Sequence, residues 1–87
     1  EQAAAPGYSV VGVVQEVRGG EVVFGYRNIA QPPLMGDEVF IVIGERRARA
    51  EVSFPMMTVT RCRLTGADAE LLGEVRKGAP VVRRTGP

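Results

Sequence analysis

The sequence predicts an all-β fold, a single small barrel or sandwich of six or seven short strands. Three observations carry that reading. Runs rich in valine, isoleucine, threonine and phenylalanine recur along the chain, separated by glycine, proline and aspartate. Two of these runs, SVVGVVQEVR and EVVFGYR, are joined directly by Gly19-Gly20, the chemistry of a tight hairpin turn. The run RARAEVSF, residues 47–54, alternates polar with small or apolar side chains, the period of a strand with one wet face. At 87 residues the chain is one domain with a modest core, stable by about 5 kcal/mol.

Each element follows in order. Residues 1–8 are small, contain proline and glycine, and read as a flexible lead-in. Residues 9–18 form the first strand, with Val11, Val13 and Val17 on one face and Gln15 as the exception. Residues 21–27 form the second, with Val22, Phe24 and Tyr26 on one face. Gly12 and Gly25 lie inside these strands, where glycine marks a bend, a bulge or a close approach of backbone. NIAQPPLMG, residues 28–36, is a loop, because Pro32 and Pro33 have no amide to give to a ladder. Gly36-Asp37 then opens a strand in which Val39, Ile41 and Ile43 face one way and Phe40 and Val42 the other. Apolar on both sides, that strand is covered twice.

In residues 47–54 the inward side chains are Ala48, Ala50, Val52 and Phe54. Pro55 interrupts, Met56-Met57 sit at the core edge, and TVTRCRL continues as a further strand. Thr65–Asp68 is a turn. Leu71, Leu72 and Val75 have the spacing of a short helix, but Gly73 weakens one by about 1 kcal/mol. The segment therefore reads as a strand, followed by a turn at Lys77-Gly78 and a closing strand over Pro80–Arg84. The barrel domain spans 9–84, and residues 85–87 form a frayed tail.

Composition narrows function. The chain has no histidine and no tryptophan, and Cys62 is its only cysteine. The commonest general base and metal ligand is thus missing, which argues against a hydrolase, and multi-cysteine zinc sites are excluded within the chain. Asp37 and Glu38 are adjacent, and neighbouring strand residues point to opposite faces, so they make a poor acid/base pair; Asp37 instead caps its own turn. The expectation is no enzyme, no cofactor and no metal. No apolar run approaches the roughly 20 residues a membrane helix needs. No signal peptide is visible, and the initial glutamate favours processing of a longer precursor.

Charge is unevenly spread. Residues 1–43 carry two basic and five acidic groups, net −3, and residues 44–87 carry nine basic and five acidic, net +4. Arg47, Arg49, Arg61 and Arg63 concentrate this asymmetry. If residues 47–54 and 56–64 pair about a turn at Pro55, Arg49 lies opposite Arg61 and Arg47 opposite Arg63. One face then holds four guanidinium groups, suited to a phosphate or an acidic partner. The plainer alternative is a solvated face neutralised by Glu45, Glu51, Glu70 and Glu74. A second candidate contact is the loop tip Leu34-Met35, held by stiff prolines; its alternative is to fold back and cap the barrel end. Cys62 alternates with Arg61 and Arg63 and packs inward as a small apolar residue.

Taken together, VVGVVQEVRGGEVVF, MGDEVFIVI, AEVSFPMMTVTRCRL and KGAPVVRR resemble the SH3-like small β-barrel at the C-terminus of flagellar assembly protein T and related bacterial cell-envelope proteins. The positions that carry the resemblance are Val17, Gly20, Val23, Gly36-Asp37 and Gly78, within residues 9–84. Pro32-Pro33 and the Ala-Pro after Gly78 depart from the pattern. The resemblance implies a small SH3-like β-barrel without catalytic residues, acting as a protein-interaction or assembly module. Its setting would be a periplasmic, envelope-associated or flagellar-type complex. The expected contacts are Arg47, Arg49, Arg61, Arg63, Leu34 and Met35, with a protein partner or a second copy of the chain. The alternative is an RNA-binding barrel of translation-factor type in the cytoplasm, using the same arginines; a spacer domain is the third reading.

Overall fold

Gly19 and Gly20 take positive φ values of 60° and 84°, which L side chains avoid, so the chain reverses there within two residues. In this computed structural model, which describes residues 7–26, 32–56 and 58–85, the reversal joins β1 (Tyr8–Arg18) to β2 (Glu21–Gly25). β3 (Glu38–Ile43), β4 (Arg46–Pro55) and β5 (Val59–Leu64) follow, then a 3-10 helix (Gly66–Glu74) and β6 (Pro80–Arg84). The strands close into an antiparallel barrel in the order β1-β2-β5-β4-β3-β6. β3, β4 and β5 are successive neighbours and β6 returns beside β3, which is a Greek key. The architecture is all-β and compatible with an SH3-like barrel.

The interior is built from one face of every strand. Val22 pairs with Cys62, and Cys62 with Val52, across three strands. Val39 and Ile41 pair with Ala50 and Ala48, where small side chains leave room for the larger ones opposite. Phe24, Val14 and Val81 complete the buried cluster, and Leu71, Leu72 and Ala79 pack against it from outside the strands.

Three bulges change the pattern read from the sequence. β1 shifts register between Val10 and Gly12 and again between Val14 and Glu16. The extra residues shift the alternation, so Val11 and Val14 are buried while Val13 is exposed; Val17 pairs with the buried Val22 but is itself exposed near the end of the strand. The expected shared face of Val11, Val13 and Val17 is therefore not formed. β4 shifts register between Val52 and Phe54, and Phe54, expected inward, is exposed. The glycine expectation holds: a side chain at Gly12 would overlap the carbonyl oxygen of Gly25 and crowd the Phe24 ring.

The segment from residue 69, expected as a strand after a turn over Thr65–Asp68, belongs instead to the 3-10 helix Gly66–Glu74. Gly66 enters it with positive φ, and the Asp68 carboxylate accepts a hydrogen bond from the Arg49 amide at 2.9 Å. That bond anchors the turn on β4, beyond its last residue paired to β5. β1 begins at Tyr8, which the sequence reading left in the lead-in. Lead-in residues 1–6, residues 27–31 from the expected end of the second strand into the loop, Met57 and the last two residues lie outside the described residues. The tail expected to fray from 85 starts with a fixed contact, Thr85 N–H donating to the Gly7 carbonyl at 2.9 Å.

Two outcomes follow. Gly12→Ala forces the β1 and β2 backbones apart and lowers stability by about 3 kcal/mol in urea denaturation. Burial, and secondarily the Glu21 charge, push the Cys62 thiol up to about 12 from 9.0. Below pH 9 the thiol is protonated folded and unfolded. Above it only the unfolded thiol ionises, so this contribution is lost as pH rises from 9 toward 12. Wild-type stability accordingly falls faster than that of Cys62→Ala across this window, and the native thiol stays inert to alkylating reagents at pH 8.

Candidate functional site

The arginine ridge does not assemble as the symmetric register required. β4 and β5 pair with Glu51 opposite Arg63 and Phe54 opposite Arg61. Arg49 and Arg47 lie instead opposite Phe40 and Val42 of β3. The register fails because the bulge at Ser53 and the connection through Met56 displace the turn from Pro55.

Three of the four arginines are neutralised, by partners the sequence did not single out. Glu21, at the start of β2, accepts hydrogen bonds from Arg63 Nη2 at 3.1 Å and Ser53 Oγ at 2.8 Å. Its other oxygen lies 3.9 Å from Arg61 Nη1. One carboxylate thus ties β2 to β4 and β5. Arg49 Nε donates to Glu38 on β3. Of the glutamates expected to neutralise this face, Glu51 lies across from Arg63, and Glu74 pairs with Arg46 at 3.4 Å. Arg61 also lies over the exposed Phe54 ring, 5.8 Å from its centroid. This outward band is a zwitterionic lattice.

Leu34 and Met35 do not fold back over the barrel end; they are 66% and 67% exposed. Their turn is fixed from below. Asp37 accepts a hydrogen bond from the Leu34 amide at 2.9 Å, as its turn-capping role predicted. Asp37 N–H donates to the Leu34 carbonyl, and Gly36 N–H to Val52 of β4. Pro33 is buried. The tip is two large apolar side chains on an anchored support.

A further surface escaped the sequence reading. Phe40 and Val82 pair across β3 and β6 on the outside of the barrel, yet Phe40 is only 7% exposed and Val82 fully buried. Tyr8 lies against Phe40, its ring meeting it edge-on at 5.5 Å. The Arg47 guanidinium lies 4.5 Å from the Tyr8 centroid, and that of Arg84 5.4 Å from the Phe40 centroid. Val10 continues this face, opposite Val82, and Val13 follows opposite Pro80. From there a shallow groove of about 680 Å³ runs past Gly12 and Tyr26 to Lys77 and Gly78. The visible signals were the second apolar face of β3, the Val81-Val82 pair and Gly12 as a mark of irregularity in β1; the role of Tyr8 was not legible.

Among the described residues, no three acidic or cysteine side chains cluster as a metal site would need, and no helix is long and apolar enough to cross a membrane. The Glu21 hub makes a measurable expectation. Glu21→Gln lowers stability by about 1 kcal/mol at low ionic strength, and the deficit shrinks in high salt as Arg61 and Arg63 are screened.

No protein-family model, no curated protein and no solved structure matches the chain, so the barrel stands on its own geometry and nothing in these comparisons ties it to flagellar assembly protein T.

Proposed function

We propose that the domain is a non-enzymatic protein-interaction module that presents the Leu34-Met35 tip to a protein partner or to a second copy of the chain. The observation that carries this reading is the exposure of both side chains on a turn anchored by Asp37 and β4. A fixed tip loses little conformational entropy on docking, and burying each side chain is worth about 2 kcal/mol. An envelope-associated or flagellar-type assembly is the setting that the sequence resemblance implies. The pairing of Arg49, Arg61 and Arg63 with carboxylates favours this reading over RNA binding, because a phosphate would have to displace Glu38 and Glu21.

The test compares wild type with Leu34→Asp and Met35→Asp by analytical ultracentrifugation and by crosslinking from position 35 in source-cell extract. Each substitution weakens the dominant association by about tenfold or more, roughly 1.4 kcal/mol. Far-UV circular dichroism stays unchanged. Variants that keep every association overturn the reading. Saturable RNA binding that falls steeply with salt and vanishes in Arg61→Glu replaces it with the RNA-binding one.

A further inference from the structure

Arg18, Arg46, Arg49, Arg61 and Arg63 each pair with a glutamate, whereas Arg47 and Arg84 pair with no carboxylate among the described residues. The Arg47 guanidinium stacks on the Tyr8 ring and that of Arg84 on the Phe40 ring, and these two rings meet edge-on. Arg84 first, then Arg47, holds the Tyr8 phenol below its ordinary 10.0. Two like charges thus lie against one pair of adjoining rings, which accept none of the guanidinium N–H groups in the way a carboxylate would. The ring contacts limit where each guanidinium can sit, so the unused donors are arranged before any ligand arrives. A carboxylate at this point relieves the repulsion and accepts forked hydrogen bonds.

The surroundings specify more than an anion. Val10, 42% exposed, lies opposite Val82, two positions from Arg84, and Val13, 47% exposed, follows farther along β1 opposite Pro80. They line the groove that ends at Lys77. The strip is therefore mainly apolar, with Gln15, Tyr26 and Thr58 as polar interruptions, and carries Arg47 and Arg84 toward one end and Lys77 toward the other. Its complement is a segment with carboxylates flanking an aliphatic side chain. We infer that this outer face of β1, β3 and β6 docks an acidic segment of a protein partner, with a carboxylate on Arg47 and Arg84 and an aliphatic side chain over Val10 and Val13. The inference goes beyond the loop-tip reading and shares with it only the premise that the partner is a protein.

The experiment titrates the ¹⁵N-labelled domain with a short peptide of alternating glutamate and leucine, followed by amide and arginine side-chain resonances at physiological salt. A peptide with glutamine for glutamate is the control. Tyr8, Val10, Val13, Arg47 and Arg84 shift with the acidic peptide and not with the control. Arg47→Gln and Arg84→Gln together weaken binding about tenfold or more while the spectrum stays dispersed. Leu34→Asp leaves peptide affinity unchanged, so the two readings fail separately. No shift at millimolar peptide, equal shifts with the glutamine control, or full affinity in the double variant overturns the inference. So does a single-stranded RNA oligonucleotide that occupies the same residues more tightly than the peptide, which makes the ligand a nucleic-acid phosphate.

Discussion

The barrel depends on one strand making two ladders at once. β1 pairs with β6 through Tyr8–Val13 and with β2 through Val13–Arg18, and Val13 belongs to both. An 11-residue strand without irregularity is too straight to serve two neighbours on a sheet this tightly curved. The bulges before Gly12 and after Val14 supply the bend, and the missing side chain at Gly12 lets the β2 backbone approach from inside the curve. Among the described strands closure leaves no sheet edge for another chain to extend, so a partner would have to be met by side chains and loops.

That constraint also shapes the outer surface. The same bulge that turns Val11 into the core leaves Val10 and Val13 outward, where they lengthen the apolar face begun by Phe40 and Val82. The charges divide accordingly. Over β2, β4 and β5, Glu21 gathers Arg61, Arg63 and Ser53 into a lattice that contributes cohesion and little field. Over β1, β3 and β6, arginines stack on aromatic rings, and their charge remains available to a partner. Partially buried hydrogen bonds lie on one side and unneutralised charge on the other, so under the proposed docking of an acidic segment stability and recognition fall on different walls of one small barrel.

Much of this was written locally in the sequence. Gly19-Gly20 specified the first hairpin, Gly36-Asp37 the start of β3, and the alternation Ala48, Ala50, Val52 the inner face of β4, because each rests on near-neighbour chemistry. Cys62 and Asp37 behaved as their positions required. The misplaced residues share one cause. A bulge is a property of two strands in register: Gly12 and the polar Gln15 flagged irregular points in SVVGVVQEVR without saying which side chains change face, and nothing in RARAEVSF marks the slip at Ser53. The site was less legible for the same reason. Arg63 finds Glu21 at 42 positions' separation, and Arg84 meets Tyr8 only because the barrel closes. The 3-10 helix depends on Asp68 reaching the Arg49 amide, again a contact between distant segments.

The bond from Thr85 N–H to the Gly7 carbonyl places the first and last described residues side by side, at the end of an antiparallel ladder. Tension applied through those two points meets the β1–β6 hydrogen bonds one after another, from Tyr8–Arg84 inward, and never loads them together. The molecule is thus mechanically a zipper. Pulled from its ends it opens at low force from the side that carries Tyr8 and Arg84, taking the outer aromatic cluster apart before the interior around Phe24 and Ile41 is disturbed.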